Sequence, residues 1–134
     1  MDATAQTLAA STPSPLSKVP ISQLSPTLED AKDKYVEAIV TLIWPYSSST
    51  RSLSLLLAEP DFRLRRSHGQ VKAIFHRDVA EKVARSQVGI GDTVRLSVGN
   101  AIFSAADMAA QTPGKNVAWD ILFDDGTGVS LEVF

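Results

Sequence analysis

The alternation of apolar and polar positions is clearest in the middle of the chain. In Ser52-Leu53-Ser54-Leu55-Leu56-Leu57 the serines point one way and Leu53, Leu55 and Leu57 the other, the period of two that a half-buried strand requires. Gln70 to His76 repeats it, with Val71, Ala73 and Phe75 on one face and Lys72, Ile74 and His76 on the other. Thr93 to Val98 sets Val94, Leu96 and Val98 inward, and Ala118 to Phe123 sets Trp119, Ile121 and Phe123 opposite Asp120. Ahead of these, Tyr35 to Trp44 is rich in β-branched and aromatic residues and apolar on both faces, which suits a long first strand shared between two sheets. Pro45 is expected to end it, and Ser47 to Thr50 predicts a polar turn.

One helix stands out between the third and fourth strands. Asp78 followed three residues later by Glu81 reads as an N-terminal capping pair, and Val79 and Val83 with Ala80 and Ala84 make a small apolar stripe that ends near Gly89. Gly89-Ile90-Gly91-Asp92 is a structural turn, Gly99-Asn100 predicts a hairpin into Ala101-Ile102-Phe103, and a loop of roughly a dozen residues follows. Asp125-Gly126 turns into a last apolar piece ending at Phe134. Five strands with a helix between the third and fourth is the order of an OB-fold, an all-β Greek-key barrel whose second and third strands and flanking loops carry ligands. From Met1 to Thr27, by contrast, Ala, Ser, Thr, Gln and Pro dominate, too little apolar surface to offset the entropy of ordering. The expected organisation is a disordered tail over 1–27 and an OB-fold domain over 28–134.

Composition narrows the class further. A chain of 134 residues supports one core of ordinary size, and 44% hydrophobic with 21% charged residues lies inside the globular range. Without cysteine there is no disulfide and no thiol chemistry, and the start of the chain lacks the basic and apolar regions of a secretory signal. No stretch approaches the roughly 18 apolar residues of a membrane span. Up to Pro26 there is one Lys and no Arg, unlike a mitochondrial address, so a cytosolic or nuclear protein is expected. Thr12-Pro13, Ser14-Pro15 and Ser25-Pro26 are candidates for proline-directed phosphorylation.

Charge changes the picture. The net charge is −2, yet between Arg51 and Arg95 nine basic residues face five acidic ones, a net +4 that leaves −6 elsewhere. Enzymatic readings find no support in the same residues. His68 and His76 are the only histidines, lie on different elements and fit no nucleophile or zinc arrangement, Gly89 to Asp92 lacks the third glycine of a dinucleotide site and the lysine of a P-loop, and adjacent Asp124 and Asp125 read as solvated turn residues. A binding reading gathers more. The loop after the first strand holds Trp44, Tyr46 and Arg51, and the link into the third strand holds Phe62, Arg63, Arg65 and Arg66. Lys72 and His76 face outward from the third strand and Arg95 from the fourth. Aromatic rings stack on unpaired bases while Arg and Lys track phosphates, the needs of a single-strand binder. The alternative keeps Trp44 and Phe62 as plugs at the barrel ends.

Three stretches carry a family resemblance: Val40-Thr41-Leu42-Ile43-Trp44-Pro45-Tyr46-Ser47-Ser48-Ser49-Thr50, Leu55-Leu56-Leu57-Ala58-Glu59-Pro60-Asp61-Phe62-Arg63-Leu64-Arg65-Arg66, and Gly89-Ile90-Gly91-Asp92-Thr93-Val94. They resemble the N-terminal OB domain of filamentous-fungal proteins of the telomeric single-stranded-DNA-binding, protection-of-telomeres type. The resemblance covers Tyr35 to Phe123; Trp-Pro-Tyr-Ser and Phe-Arg-Leu-Arg-Arg are its more specific motifs. It implies a nuclear, non-catalytic protein of chromosome ends that binds single-stranded G-rich DNA, with protein partners at telomeres, no cofactor and no small-molecule substrate. No base-contacting residue of the family maps onto this chain one by one. Family members are longer, which implies a fragment or truncated product whose last residues, from Gly126, are not a natural continuation; Val129-Ser130 is compatible with a retained intron. A second reading stays open: an OB domain that docks a protein partner, favoured by the acidic overall charge and by outward Leu56 and Ile74.

Overall fold

The computed structural model describes residues 17–65, 67–106, 116–124 and 130–134. Eight strands form one sheet: β1 (Ser17–Lys18), β2 (Lys34–Ser47), β3 (Ser52–Ala58), β4 (Gln70–His76), β5 (Thr93–Ser97), β6 (Ile102–Ala105), β7 (Trp119–Phe123) and β8 (Leu131–Val133). Helix α1 (Phe62–Arg65) links β3 to β4, and α2 (Arg77–Arg85) links β4 to β5. The strands run β6-β7-β4-β3-β2-β5-β8 across the sheet, with β1 beside β2. Among the named strands of the described residues, β1–β2 and β4–β7 pair in parallel and the others antiparallel. Because β5 and β6, distant in that order, are joined by residues 98–101, the sheet curls into a barrel whose fourth strand is β5 and β6 together, bent at a corner. This is the OB-fold, with β2, β3, β4, β5/β6 and β7 as its five strands and α2 in the expected place.

Inward positions follow the period-two pattern. Leu55, Leu57, Val71, Ala73, Phe75, Val94, Leu96, Ile121 and Phe123 are fully buried, and the Phe75 and Phe123 rings stack with centroids 5.2 Å apart. From α2 come Val79, Ala80 and Val83, closing one end of the barrel.

Several expectations are corrected. Pro45 does not end the first strand; β2 continues to Ser47, with register shifts between Val40 and Leu42 and between Trp44 and Ser47. At such a bulge a missing N–H leaves no ladder bond unmade, so proline is tolerated. Gly99-Asn100 is not a hairpin, since β6 pairs with β7. A side chain on Gly99 would stand 2.9 Å from the Lys32 Cα, so only glycine lets the corner pass under the turn at Ala31–Asp33. Asp78 does not cap α2: the cap residue is His76 without a side-chain bond, and the Arg77 N–H donates to the Arg51 carbonyl at 2.6 Å. The carboxylates of Asp78 and Glu81 turn to Arg51 instead. Gly89 lies beyond the end of α2 at Arg85, its N–H donating to Asp92 Oδ2 at 2.8 Å. Trp119 is half-buried where full inward packing was expected, because it opens β7, opposite Ala105 at the end of the β6–β7 ladder.

The boundary at residue 27 moves as well. Val19, Ile21 and Leu24 are buried in the core, Ser17–Lys18 pair with Lys34–Tyr35, and the Ile21 N–H donates to Glu59 Oε2 at 2.6 Å. Three large apolar residues at i, i+2 and i+5 suffice to hold a strap over the barrel, and the Ser/Thr/Pro content around them hid that. Residues 1–16, including the tail expected there with Thr12 and Ser14, lie outside the described residues, as do Asp125–Gly126.

Candidate nucleic-acid interface

The outward positions of β2, β3, β4, β7 and β6 line up in rows because the strands share register. One row reads Trp44, Ser54, Ile74, Leu122, Ile102, each the direct partner of the next. The neighbouring row runs Leu42, Leu56, Lys72. A third holds Ser47, Ser52 and His76, with Asp124 one residue beyond the Phe75–Phe123 pair. The β2 bulge makes this possible: its extra residue, Thr41, donates from Oγ1 to the Leu56 carbonyl and shifts the register so that Leu42 and Trp44 face outward beside Leu56 and Ser54. Trp44 is 40% exposed and Ile102 54%.

Trp44 and Lys72 are brought together, the Lys72 Nζ lying 4.4 Å from the centre of the Trp44 ring. Tyr46 and Arg51 lie at one end of the face. The Tyr46 ring is half-buried against the core, and its hydroxyl beside the Arg51 guanidinium, with Glu81 and Asp78, pushes the Arg51 pKa above its ordinary value. Arg51 sits 3.4 Å from Asp78 and 3.5 Å from Glu81. His76 ends β4 beside them, while His68 lies at the other end of that strand.

Phe62, Arg63 and Arg65 occupy α1 at the far end of β3 and β4, roughly 20 Å away at about 3.3 Å per residue. Phe62 is 74% exposed, with the Arg65 guanidinium 4.6 Å from its ring centre and Arg65 Nε donating to the Glu59 carbonyl at 2.8 Å. Arg63 is bonded to Asp61 at 3.2 Å, which holds the Asp61 carboxyl below its ordinary range. Arg66 lies outside the described residues. Arg95 stands apart on the β2–β5–β8 side, 3.2 Å from Glu37. The basic island of the sequence is therefore spread over both ends of one face and a second surface.

Sequence reasoning missed Leu42, Leu122, Ile102 and Arg77. The alternation set only Asp120 opposite Trp119, Ile121 and Phe123 and left Leu122 unplaced, and Ile102 had no visible partner while β6 was assigned to the wrong hairpin. Among the described residues, no three His, Asp or Glu side chains come close enough to hold a metal, and no helix is long and apolar enough to cross a membrane.

A bent fourth strand, a helix after the third and a ligand-type outer face define an OB-fold domain. The chain belongs to the family described as Domain of unknown function (DUF8502), whose model matches residues 14–133. No curated protein matches it. Among solved structures, Schizosaccharomyces pombe Pot1pC bound to the single strand CGGTTACGGT is similar at 16% identity over 88% of this chain and 86% of that one, with a TM-score of 0.56. Fission yeast Pot1 with ssDNA is similar at 15% identity and TM-score 0.57, covering 88% of this chain but 39% of that one. A protein assigned as an aspartyl-tRNA synthetase from Leishmania major Friedlin is similar at 15% identity and TM-score 0.55, over 94% of this chain and 22% of that one. At such identities the likeness shows the fold.

Proposed function

We propose that this domain binds single-stranded DNA without catalysis, the strand crossing the outer face over Trp44, Ile74, Leu122 and Ile102, and that it serves at chromosome ends in the nucleus. The observation that carries the reading is the registered outward row that begins at a half-exposed tryptophan already holding a lysine over its ring. A ring with a cation beside it offers a base a stacking surface and a nearby phosphate a counter-charge. The telomeric assignment rests on the motif resemblance and is supported by the two similar solved structures of Pot1 with ssDNA. Titrating the domain with labelled single strands of G-rich repeat, scrambled strands and duplex tests it: single strands bind more tightly than duplex, and binding weakens only modestly with salt because Lys72 is the one Lys or Arg in the two rows.

A second reading, docking of a protein partner on the same face, is favoured by the apolar character of Leu42, Leu56, Ile74, Leu122 and Ile102. No single-strand binding even at low salt would select it.

A further inference from the structure

At the end of the apolar row the barrel surface deepens into a cavity of about 350 Å³. Leu122 and Ile102 line it together with His76, Asp124, Arg51 and Arg77. Its size is at the small end of ligand pockets. It continues the path of the proposed strand, since Leu122 and Ile102 in its lining are the last pair of the Trp44 row.

The charges around it decide what it accepts. Arg51 and Arg77 are the cations, but Arg51 is engaged by Asp78 and Glu81, and Arg77 Nη1 lies 4.0 Å from Asp124 Oδ1. Three carboxylates against two guanidiniums do not attract a phosphate, whereas a neutral ring with a polar edge meets both donors and acceptors. Leu122 and Ile102 offer apolar surface to the flat face of such a ring, and the Asp124 carboxylate in the same lining offers acceptors to its edge.

Resting on the single-strand reading above, we propose that this cavity holds one unpaired base of the bound strand and that Asp124 selects guanine there. Guanine is the base whose pairing edge presents two parallel N–H donors, N1–H beside the N2 amine, which one carboxylate accepts together. Adenine and cytosine set an acceptor nitrogen beside their amine, facing a carboxylate oxygen with a lone pair, and thymine offers a single N–H between two carbonyls. The Arg77 guanidinium, 4.0 Å from Asp124, would be the neighbouring donor for the remaining acceptors, O6 and N7.

The test uses short oligothymidylates carrying a single dG at each position in turn, and the same strands with inosine, which lacks the N2 amine, in its place. At one position dG is expected to tighten binding about tenfold over dT, or about 1.4 kcal/mol, and inosine to lose most of the gain. In Asp124→Ala and Asp124→Asn, both checked for an unchanged melting temperature, the gain from dG disappears while affinity for plain oligothymidylate stays. Trp44→Ala weakens every strand and leaves the dG gain intact. The proposal is overturned if oligothymidylates bind but dG is worth no more than dT anywhere, or if the Asp124 variants keep the gain. If no strand binds at low salt, the single-strand reading itself fails and this one falls with it.

Discussion

Two surfaces of the barrel each place a cation over an aromatic ring, and they differ in what else the cation meets. On the β2–β3–β4 face Lys72 lies over Trp44, and its cross-strand partner is Leu56; among the described residues no carboxylate pairs with it. On the β2–β5–β8 side Arg95 lies 4.7 Å from the Phe134 ring centre and 5.7 Å from that of Tyr35, bonded to Glu37 and facing Glu132 across the ladder. Arg95 is paired with carboxylates within the fold, whereas Lys72 meets the Trp44 ring. Sequence-level counts of basic residues treat the two alike; the pairing partners separate them.

The largest effect concerns what supports both surfaces. Ile21→Ala should cost about 2 to 5 kcal/mol in a denaturant melt, as for other buried isoleucines, and removal of residues 1–27 at least as much. Both surfaces would then be lost together, and a strap removed without loss of stability would refute its place in the core. Next, Trp44→Ala should weaken single-strand binding by about 1 to 3 kcal/mol with the melting temperature nearly unchanged, because the ring is half-exposed. The equivalent change on the other side, Tyr35→Ala, should leave binding untouched. Smaller again, Lys72→Ala should lower the salt slope by roughly 0.7 and Arg95→Ala not at all; equal slopes in the two variants would erase the contrast.

The smallest effect is at a third cation, Arg63. Its partner Asp61 is held below the ordinary 3.8 by the Arg63 side chain and N–H. A lowered carboxyl adds stability that is present above its unfolded pKa and lost as the pH falls through the folded one. Both groups are exposed, so the change is slight. Following Asp61 by NMR below pH 5, Arg63→Ala should bring its midpoint back up toward the ordinary value.

Much of the barrel was legible because inward positions obey one local rule. Val71, Ala73 and Phe75 are inward in the sequence pattern and fully buried in the structure, and β4 spans Gln70–His76 as expected. What could not be read depends on partners far along the chain. Ile102 looks like the second arm of a hairpin with β5 until β7 claims it, and Val19, Ile21 and Leu24 look like linker until a barrel end is there to cover. The interface suffered most. Its rows join five strands, so one wrong pairing removes Ile102 and Leu122 from view, and the commitments of Arg51 to α2 and of Arg95 to Glu37 are invisible in a charge count.

The parallel pairing of β4 with β7 brings Ala73 beside Ile121, about a third of the chain further on. Closing such a loop costs entropy before any contact rewards it, as does closing the longer one between β2 and β5, where Tyr35 meets Ser97. Until β7 docks, the edge of β4 is an open ladder, able to pair with a strand of another chain. The Trp44 row is also incomplete until then, so the surface proposed to read DNA exists only in molecules in which β7 has docked.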